Sequence, residues 1–333
     1  MTAREARDSA ERGSWLIVGG AGYVGGHTVS RLHAAGRPVV VLDDLSTGVA
    51  ERVPEGVPLV RASMHDTAAV ARAMVEHGVT GVMQFAALKS VPESVAEPIR
   101  YYRENVGGLV SLLTAMTDVG VRRVVYSSSA AVYGIPPTPV VTEQTPAVPI
   151  NPYGQTKLVG EQLLRAAGEA HGLSWLALRY FNAVGADDPV LSDRGVSNLF
   201  PLVFSAYARG EPVSVTGGDF DTPDGTGIRD YVHVADIADA HLIAADRLER
   251  GPAATIYNIG TGHGHSVLEV LAALESAIGQ PVPYRIDPRR PGDPAQVVAA
   301  VGRIQDELGW FATRDLAEMV KSAWLSRRAL ELR

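Results

Sequence analysis

The sequence predicts an α/β protein with a Rossmann-type doubly wound parallel sheet and a smaller C-terminal α/β lobe that binds substrate. Three observations carry that prediction. Short β-branched runs alternate with longer helix-compatible stretches, the runs are apolar throughout, and a glycine-rich turn follows the first of them. Continuously apolar runs are what strands buried on both faces of a parallel sheet require, and strict βαβ alternation produces a doubly wound sheet.

Residues 1–14 mix arginines and acids without an apolar centre, which gives no signal peptide and reads as a disordered extension. The strand runs are 15–18, 39–42, 57–60, 82–85, 124–126 and 175–178. Beyond Phe181 the pattern loosens: 186–195 is loop-like, and the Gly/Asp/Thr-rich 217–227 has no periodicity. Residues 231–248 read as a helix packed back on the first lobe and 256–259 as a strand. The expected division is a dinucleotide lobe over 15–180, rejoined by segments around 230–260, and a mainly substrate-binding lobe over 181–333.

Composition narrows the partners. With 46% hydrophobic and 20% charged residues, the chain resembles an average soluble globular protein. A net charge of -7 leaves no electrostatic footprint for nucleic acid. No uncharged apolar stretch approaches the roughly eighteen residues of a membrane helix. The absence of cysteine excludes disulfides, thiolate metal sites and cysteine nucleophiles. A cytoplasmic protein with a small-molecule partner is expected, binding neither nucleic acid nor membrane. His263 and His265 have no acidic partner at convincing ligand spacing, so no metal is expected and both are assigned to a loop.

The turn Gly19-Gly20-Ala21-Gly22-Tyr23-Val24-Gly25 follows the first strand and opens a helix. Its glycines permit a tight turn and close backbone approach to a pyrophosphate, and the helix N-terminus offers free N–H groups to the anion. A second strand then ends on Asp43, whose carboxylate suits the adenosine ribose hydroxyls and repels a 2′-phosphate, so NAD is preferred over NADP. The bland alternatives are a plain strand-to-helix turn for the glycines and a cap for Asp43, and Asp44 is a rival for the ribose.

Further on, Tyr153 and Lys157 stand four apart at the start of a helix and share one face. A phenol with a pKa of about 10 is a poor base at neutral pH, and about 4 kcal/mol of differential stabilisation is needed to bring it near 7. A neighbouring ammonium and a positive nicotinamide ring both act in that direction. Alone, this spacing is more often a solvated lysine beside a buried tyrosine. It gains weight from Ser127-Ser128-Ser129, which emerge from a strand at the C-terminal edge of the sheet, where such folds bind ligands.

Together with Phe85-Ala86-Ala87-Leu88-Lys89, Asn105, Arg179-Tyr180-Phe181-Asn182 and Gly225-Thr226-Gly227-Ile228-Arg229-Asp230-Tyr231, these motifs resemble the UDP-glucose 4-epimerases of the extended short-chain dehydrogenase/reductases. The resemblance runs from about residue 15 to 324. It implies that Tyr153 takes the proton of the sugar 4′-hydroxyl while hydride passes from C4′ to the nicotinamide. Ser129 would bind the same oxygen, and Lys157 would bind the nicotinamide ribose and lower the Tyr153 pKa. The 4-keto sugar would swing about its diphosphate and take the hydride back on its other face, with NAD staying bound between turnovers.

Cofactor contacts implied by the resemblance fall on Gly19, Gly22, Tyr23, Val24, Gly25, Phe85, Ala86, Lys89, Asn105, Ser127 and Tyr180. Substrate contacts fall on Lys89, Asn182, Asn198, Leu199, Arg229, Arg290, Asp293 and Val297, with the arginines on the diphosphate and Asp293 toward the uridine ribose. A homodimer through helices around 105–116 and 153–167 is also implied.

Three departures matter. Ala62-Ser63-Met64 stands where the family usually has Gly-Asp-Ile, which implies a weaker adenine contact. Thr216 replaces a phenylalanine near the uracil. Val297 replaces the tyrosine that lines the sugar pocket in some members, which leaves room for an N-acetyl group on the hexose. UDP-pentose and UDP-uronate epimerases are alternatives. A dehydratase or decarboxylase would place an acid beside the active-site hydroxyl, whereas Ala130 follows Ser129. A non-catalytic NAD sensor would have no need for Tyr153 and Lys157 together.

Overall fold

The computed structural model describes residues 13–195, 198–290 and 292–332. The expected disordered extension lies outside them for 1–12, as does Pro291 of the basic turn, but Ser14 already belongs to the first strand.

In chain order the strands are β1 (Ser14–Val18), β2 (Val39–Asp43), β3 (Leu59–Arg61), β4 (Val79–Gln84), β5 (Arg123–Ser129), β6 (Val140–Val141), β7 (Ser174–Tyr180), β8 (Asn182–Val184), β9 (Val213–Thr216), β10 (Ile228–His233), β11 (Ala254–Ile259), β12 (Gly264–Ser266), β13 (Tyr284–Asp287) and β14 (Gln296–Ala299). The α-helices are α1 (Tyr23–Ala34), α2 (Thr67–Glu76), α3 (Val91–Ala96), α4 (Pro98–Tyr101), α5 (Gly108–Val119), α6 (Pro152–His171), α7 (Leu199–Ala208), α8 (Val234–Arg250), α9 (Val267–Ile278), α10 (Gly302–Leu308) and α11 (Leu316–Glu331).

Seven parallel strands form the main sheet in the order β11-β7-β5-β4-β1-β2-β3. Strand period two divides its side chains between two cores. Leu16, Val18, Val40, Leu42, Val82 and Val124 face one. Trp15, Ile17, Val39, Val41, Met83 and Val125 face the other. Both faces are thus covered, as continuously apolar runs demand.

The boundaries correct the sequence reading in three places. The fourth strand starts at Val79 and stops before Phe85, and the third begins at Leu59. More consequentially, Tyr231-Val232-His233 are strand, and the helix starts only at Val234. The reasons are local. Asp230 accepts backbone N–H groups from Thr261, Gly262 and Ala299, which holds β10 among its neighbours. His233 then accepts the Ala235 N–H through Nδ1 and caps α8.

From there the chain returns to the main sheet. Helix α8 packs on α1, where Arg31 grips Asp239 bidentately at 2.7 Å on each arm, and β11 extends the sheet beside β7. A second sheet runs β12-β10-β14-β6, with β8 also paired to β10, and β9 pairs with β13. Strand β6 comes from the first half of the chain and β14 from its end, so the two halves share hydrogen-bonded strands. No helix among the described residues is long and apolar enough to cross a membrane.

Candidate active site

The C-terminal edge of the main sheet gathers the chemistry. After β1 the chain turns through Gly19, whose φ is +80°. A Cβ on Gly25 would meet the Gly19 carbonyl oxygen at 2.2 Å, so only glycine lets α1 start this close to the strand. The N-cap of α1 is Gly22, which offers no side chain to the first-turn N–H groups of Tyr23, Val24 and Gly25. Those donors are left for an anion, and the turn fits a dinucleotide diphosphate.

Of the two adjacent acids, Asp43 is buried at the sheet edge and Asp44 is exposed. Asp43 accepts from Ala21 N at 3.0 Å and Leu45 N at 2.9 Å, one bond per oxygen, which orients the carboxylate and leaves lone pairs for ribose hydroxyls. Burial raises its pKa and the backbone donors oppose that. Asp44 instead closes a turn onto Ser46.

Several expected cofactor residues have protein partners for their polar atoms. Asn105 lies in a turn of π-helix, Tyr102–Gly107, that leads into α5. Its Oδ1 accepts from Leu88 N at 2.8 Å, and its Nδ2 donates to Leu88 O and Thr156 Oγ1, both at 3.0 Å. Asn105 therefore ties the loop carrying Ala86 and Lys89 to helix α6. Tyr23 donates its hydroxyl to Gly185 O, and Tyr180 shares a 2.7 Å bond with His241, whose ring also lies 4.7 Å from Phe85. The Lys89 ammonium reaches within 3.9 Å of Asp193 and 5.8 Å of the Tyr23 ring centre.

Helix α6 places the expected pair, Tyr153 and Lys157. Asn151 caps it by accepting from Gly154 N, Pro152 occupies its first turn, and Gly172 in the left-handed region ends it. A Cβ on Gly160 would lie 2.2 Å from the Tyr126 hydroxyl, so glycine there lets α6 settle on β5. As a result Lys157 Nζ sits 5.0 Å from the Tyr126 ring centre and donates to Ser127 O at 2.6 Å and Ser127 Oγ at 3.2 Å. The Ser129 Oγ accepts from Ala131 N at 3.2 Å, and Ser129 is the side chain that favours the Tyr153 phenolate.

The pairing differs from the expectation that Lys157 lowers the Tyr153 pKa. Burial raises the Tyr153 pKa, and Ser129 opposes it. Burial also lowers Lys157 from 10.5 to about 7, with Glu161 pulling it back up. The cause is common to both: low-dielectric surroundings favour the neutral form of each. A positive ring beside the phenol is what would tip Tyr153 toward phenolate.

Sequence reasoning passed over the groups beneath this pair. Ser128 donates to Glu161, and Arg179 grips Glu161 at 2.9 and 2.6 Å. Arg179 also donates to the Tyr133 hydroxyl, which donates to Asn258 at 2.6 Å. The signal was present, because Glu161 follows Lys157 by four residues on the same helix face.

On the substrate side, Arg229 of β10 stands opposite Val297 of β14. Arg229 donates to Ile228 O at 2.8 Å; burial lowers its pKa, Asp293 supports its charge and Arg290 opposes it, so the three form one electrostatic neighbourhood. Arg289 is committed elsewhere, paired with Asp219 and 4.8 Å over Phe220. Asn182 is exposed on β8, and Asn198, which precedes Leu199 at the start of α7, donates to Asp193 at 2.7 Å. Val297 is 7% exposed and packs with Tyr133 and Phe181. His265 is not in a loop: it lies in β12, 3.8 Å from Glu269. Among the described residues no group of three or more His, Asp or Glu could hold a metal ion.

Comparison with known proteins identifies relatives over nearly the whole chain. Residues 15–260 match the model of the NAD dependent epimerase/dehydratase family. The UDP-glucose 4-epimerase of Azospirillum brasilense is 46% identical over 321 residues, covering 95% of this chain and 92% of that protein. The structure of UDP-glucose 4-epimerase from Stenotrophomonas maltophila, solved with NAD and formylated UDP-arabinopyranose, superposes with a TM-score of 0.92 at 40% identity, covering 96% and 99% of the two chains. That of the UDP-Glc/GlcNAc 4-epimerase from Campylobacter jejuni does so with a TM-score of 0.84 at 35% identity, covering 95% and 99%.

Proposed function

The chain belongs to the NAD dependent epimerase/dehydratase family, and from that premise we propose that it is an isomerase inverting C4′ of UDP-hexoses, interconverting UDP-galactose and UDP-glucose through a 4-keto sugar. The observation that carries the reading is Lys157, held by Ser127 at the sheet edge one turn of α6 beyond Tyr153, whose phenolate Ser129 favours. NAD bound at that turn supplies the hydride acceptor and donor.

This chain's residues supply the rest. Tyr153 takes the proton of the 4′-hydroxyl and returns it to the same oxygen, and Ser129 holds that oxygen in place. Lys157, anchored by Ser127, would hold the nicotinamide ribose. Arg229 and Arg290 bind the UDP diphosphate and Asp293 the uridine ribose, with Asn182, Asn198 and Leu199 completing the substrate wall. Ala130 and Ala131 after Ser129 put no carboxyl beside the reacting hydroxyl in that turn, and elimination of water would need one. Val297 leaves space for a 2-N-acetyl group, so UDP-N-acetylhexosamines are substrates too. We further propose a cytoplasmic homodimer whose dinucleotide lobe spans 15–180, with 181–333 mainly binding UDP-sugar.

Purified without added cofactor, the protein should carry NAD and convert UDP-galactose to UDP-glucose in an assay coupled to UDP-glucose dehydrogenase. A folded protein that forms no product overturns the reading. Tyr153→Phe should lose about 10²- to 10⁴-fold in turnover while still binding UDP. A loss of tenfold or less means that another group is the base.

A further inference from the structure

The glycine turn is covered by chain that follows β8. Tyr23 donates to Gly185 O at 2.6 Å, Asp187 N donates to His27 Nε2 at 3.3 Å, and Leu191 lies against Gly26 of α1. One side chain gathers this stretch onto the turn. Arg52 ends a short helical turn, Ala50–Arg52, between β2 and β3. Its Nη1 donates to Ala21 O inside the glycine turn at 3.3 Å, its Nε to Val190 O at 3.2 Å and its Nη2 to Ser192 O at 2.6 Å.

The charge on this side chain is unusual. Arg52 is only 5% exposed, and among the described residues it makes no salt bridge; all three hydrogen bonds go to main-chain carbonyls. Asp193 and Asp43 favour its charge from farther away, Arg194 opposes it, and burial lowers its pKa. A buried cation without a bonded counter-ion is costly, and an anion placed near it recovers part of that cost. The glycine turn that Arg52 touches is where a dinucleotide diphosphate would sit. The guanidinium fork suits the task, since one planar group can bridge carbonyls from two chain segments while a lysine ammonium has no such fixed geometry.

We propose that Arg52 is the clasp of the dinucleotide site: it ties residues 190–192 to the glycine turn and sets a positive charge beside the diphosphate, so that NAD stays bound between turnovers. The proposal rests on the NAD-dependent reading above. Lifting residues 190–192 from the turn requires breaking two of the three Arg52 bonds. The effect therefore falls on the rate at which NAD leaves, as contacts that hold a formed complex generally do.

The test follows exchange of bound radiolabelled NAD against excess unlabelled NAD in wild type, Arg52→Met and Arg52→Lys, together with the NAD content after gel filtration without cofactor. Arg52→Met should release NAD at least tenfold faster than wild type and elute largely stripped. Arg52→Lys keeps the charge but not the bridge and should fall between the two. Exchange by a folded Arg52→Met within twofold of wild type overturns the clasp. Should the methionine variant fail to fold, Arg52→Lys decides alone, and a rate equal to wild type again overturns it. A wild-type protein that neither carries nor binds NAD instead defeats the nicotinamide reading, and the clasp with it.

Discussion

Val297 is the residue at which substrate choice becomes testable. It stands across from Arg229 in the β10–β14 pairing, and its side chain packs with Tyr133 and Phe181. A valine there is short by most of a ring compared with tyrosine. Filling that space in a packed setting typically costs about 1–3 kcal/mol for whatever must be displaced, which is roughly five- to 150-fold in a rate ratio. Val297→Tyr should therefore lower kcat/KM for UDP-N-acetylgalactosamine by at least about fivefold relative to that for UDP-galactose. An unchanged ratio between the two substrates means that position 297 does not read the 2-substituent. Individual residues differed in how far sequence alone could nominate them. Asp43 and the glycines could be nominated from local order, turn after strand and acid at the end of the next. Arg52 could not, because its acceptors Val190 and Ser192 lie 138 and 140 residues away and are main-chain carbonyls, which carry no side-chain signature.

Helix α6 and strands β5 and β7 form a unit held by the Glu161–Arg179 pair, whose side chains are 3% and 4% exposed. Ser128, Tyr133 and Asn258 satisfy the remaining donors and acceptors around it. Glu161→Gln removes the charge facing a buried guanidinium and should cost about 3–5 kcal/mol in urea unfolding, as broken buried pairs do. Replacing both partners, as in Glu161→Met with Arg179→Met, should recover much of that loss. Equal destabilisation by the single and double changes means that the pair is not the unit's support. The strands of this unit were readable as apolar runs, since burial on both faces leaves a continuous signature. The segment 228–233 was not, because Tyr231, Val232 and His233 continue without a break into the apolar face of α8. Only the non-local bonds of Asp230 and the His233 cap divide strand from helix there. Two-residue β6 was equally illegible: its partner β14 lies at the far end of the chain.

For the molecule as a whole, three buried histidines join the main sheet and its helices to the returning chain. His27 accepts from Asp187 N, His241 bonds the Tyr180 hydroxyl, and His233 caps α8 while reaching Ser322 of α11. In each ring one nitrogen serves as an acceptor, as the hydrogen-bond network assigns it: Nε2 of His27 and His241, Nδ1 of His233. A second proton would remove that acceptor and bury a charge. Burial accordingly lowers all three from 6.5 to about 4. Between those two values the unfolded chain binds protons that the folded chain refuses, so stability rises with pH across the window and is lost as pH falls through it. Each histidine accounts for up to about 3 kcal/mol by this linkage. Asp43 and Asp230, both raised by burial, favour proton binding in the folded state and work against the trend. The histidines outnumber them, and their window from 6.5 down to about 4 spans the pH range tested, so urea unfolding at pH 7, 6 and 5 should give a steadily falling free energy. His241→Gln, which keeps a donor and an acceptor without a titrating ring, should flatten the slope by up to one proton. A slope that is flat in wild type, or unchanged by His241→Gln, means that these rings do not bind the proton differently in the folded and unfolded chain.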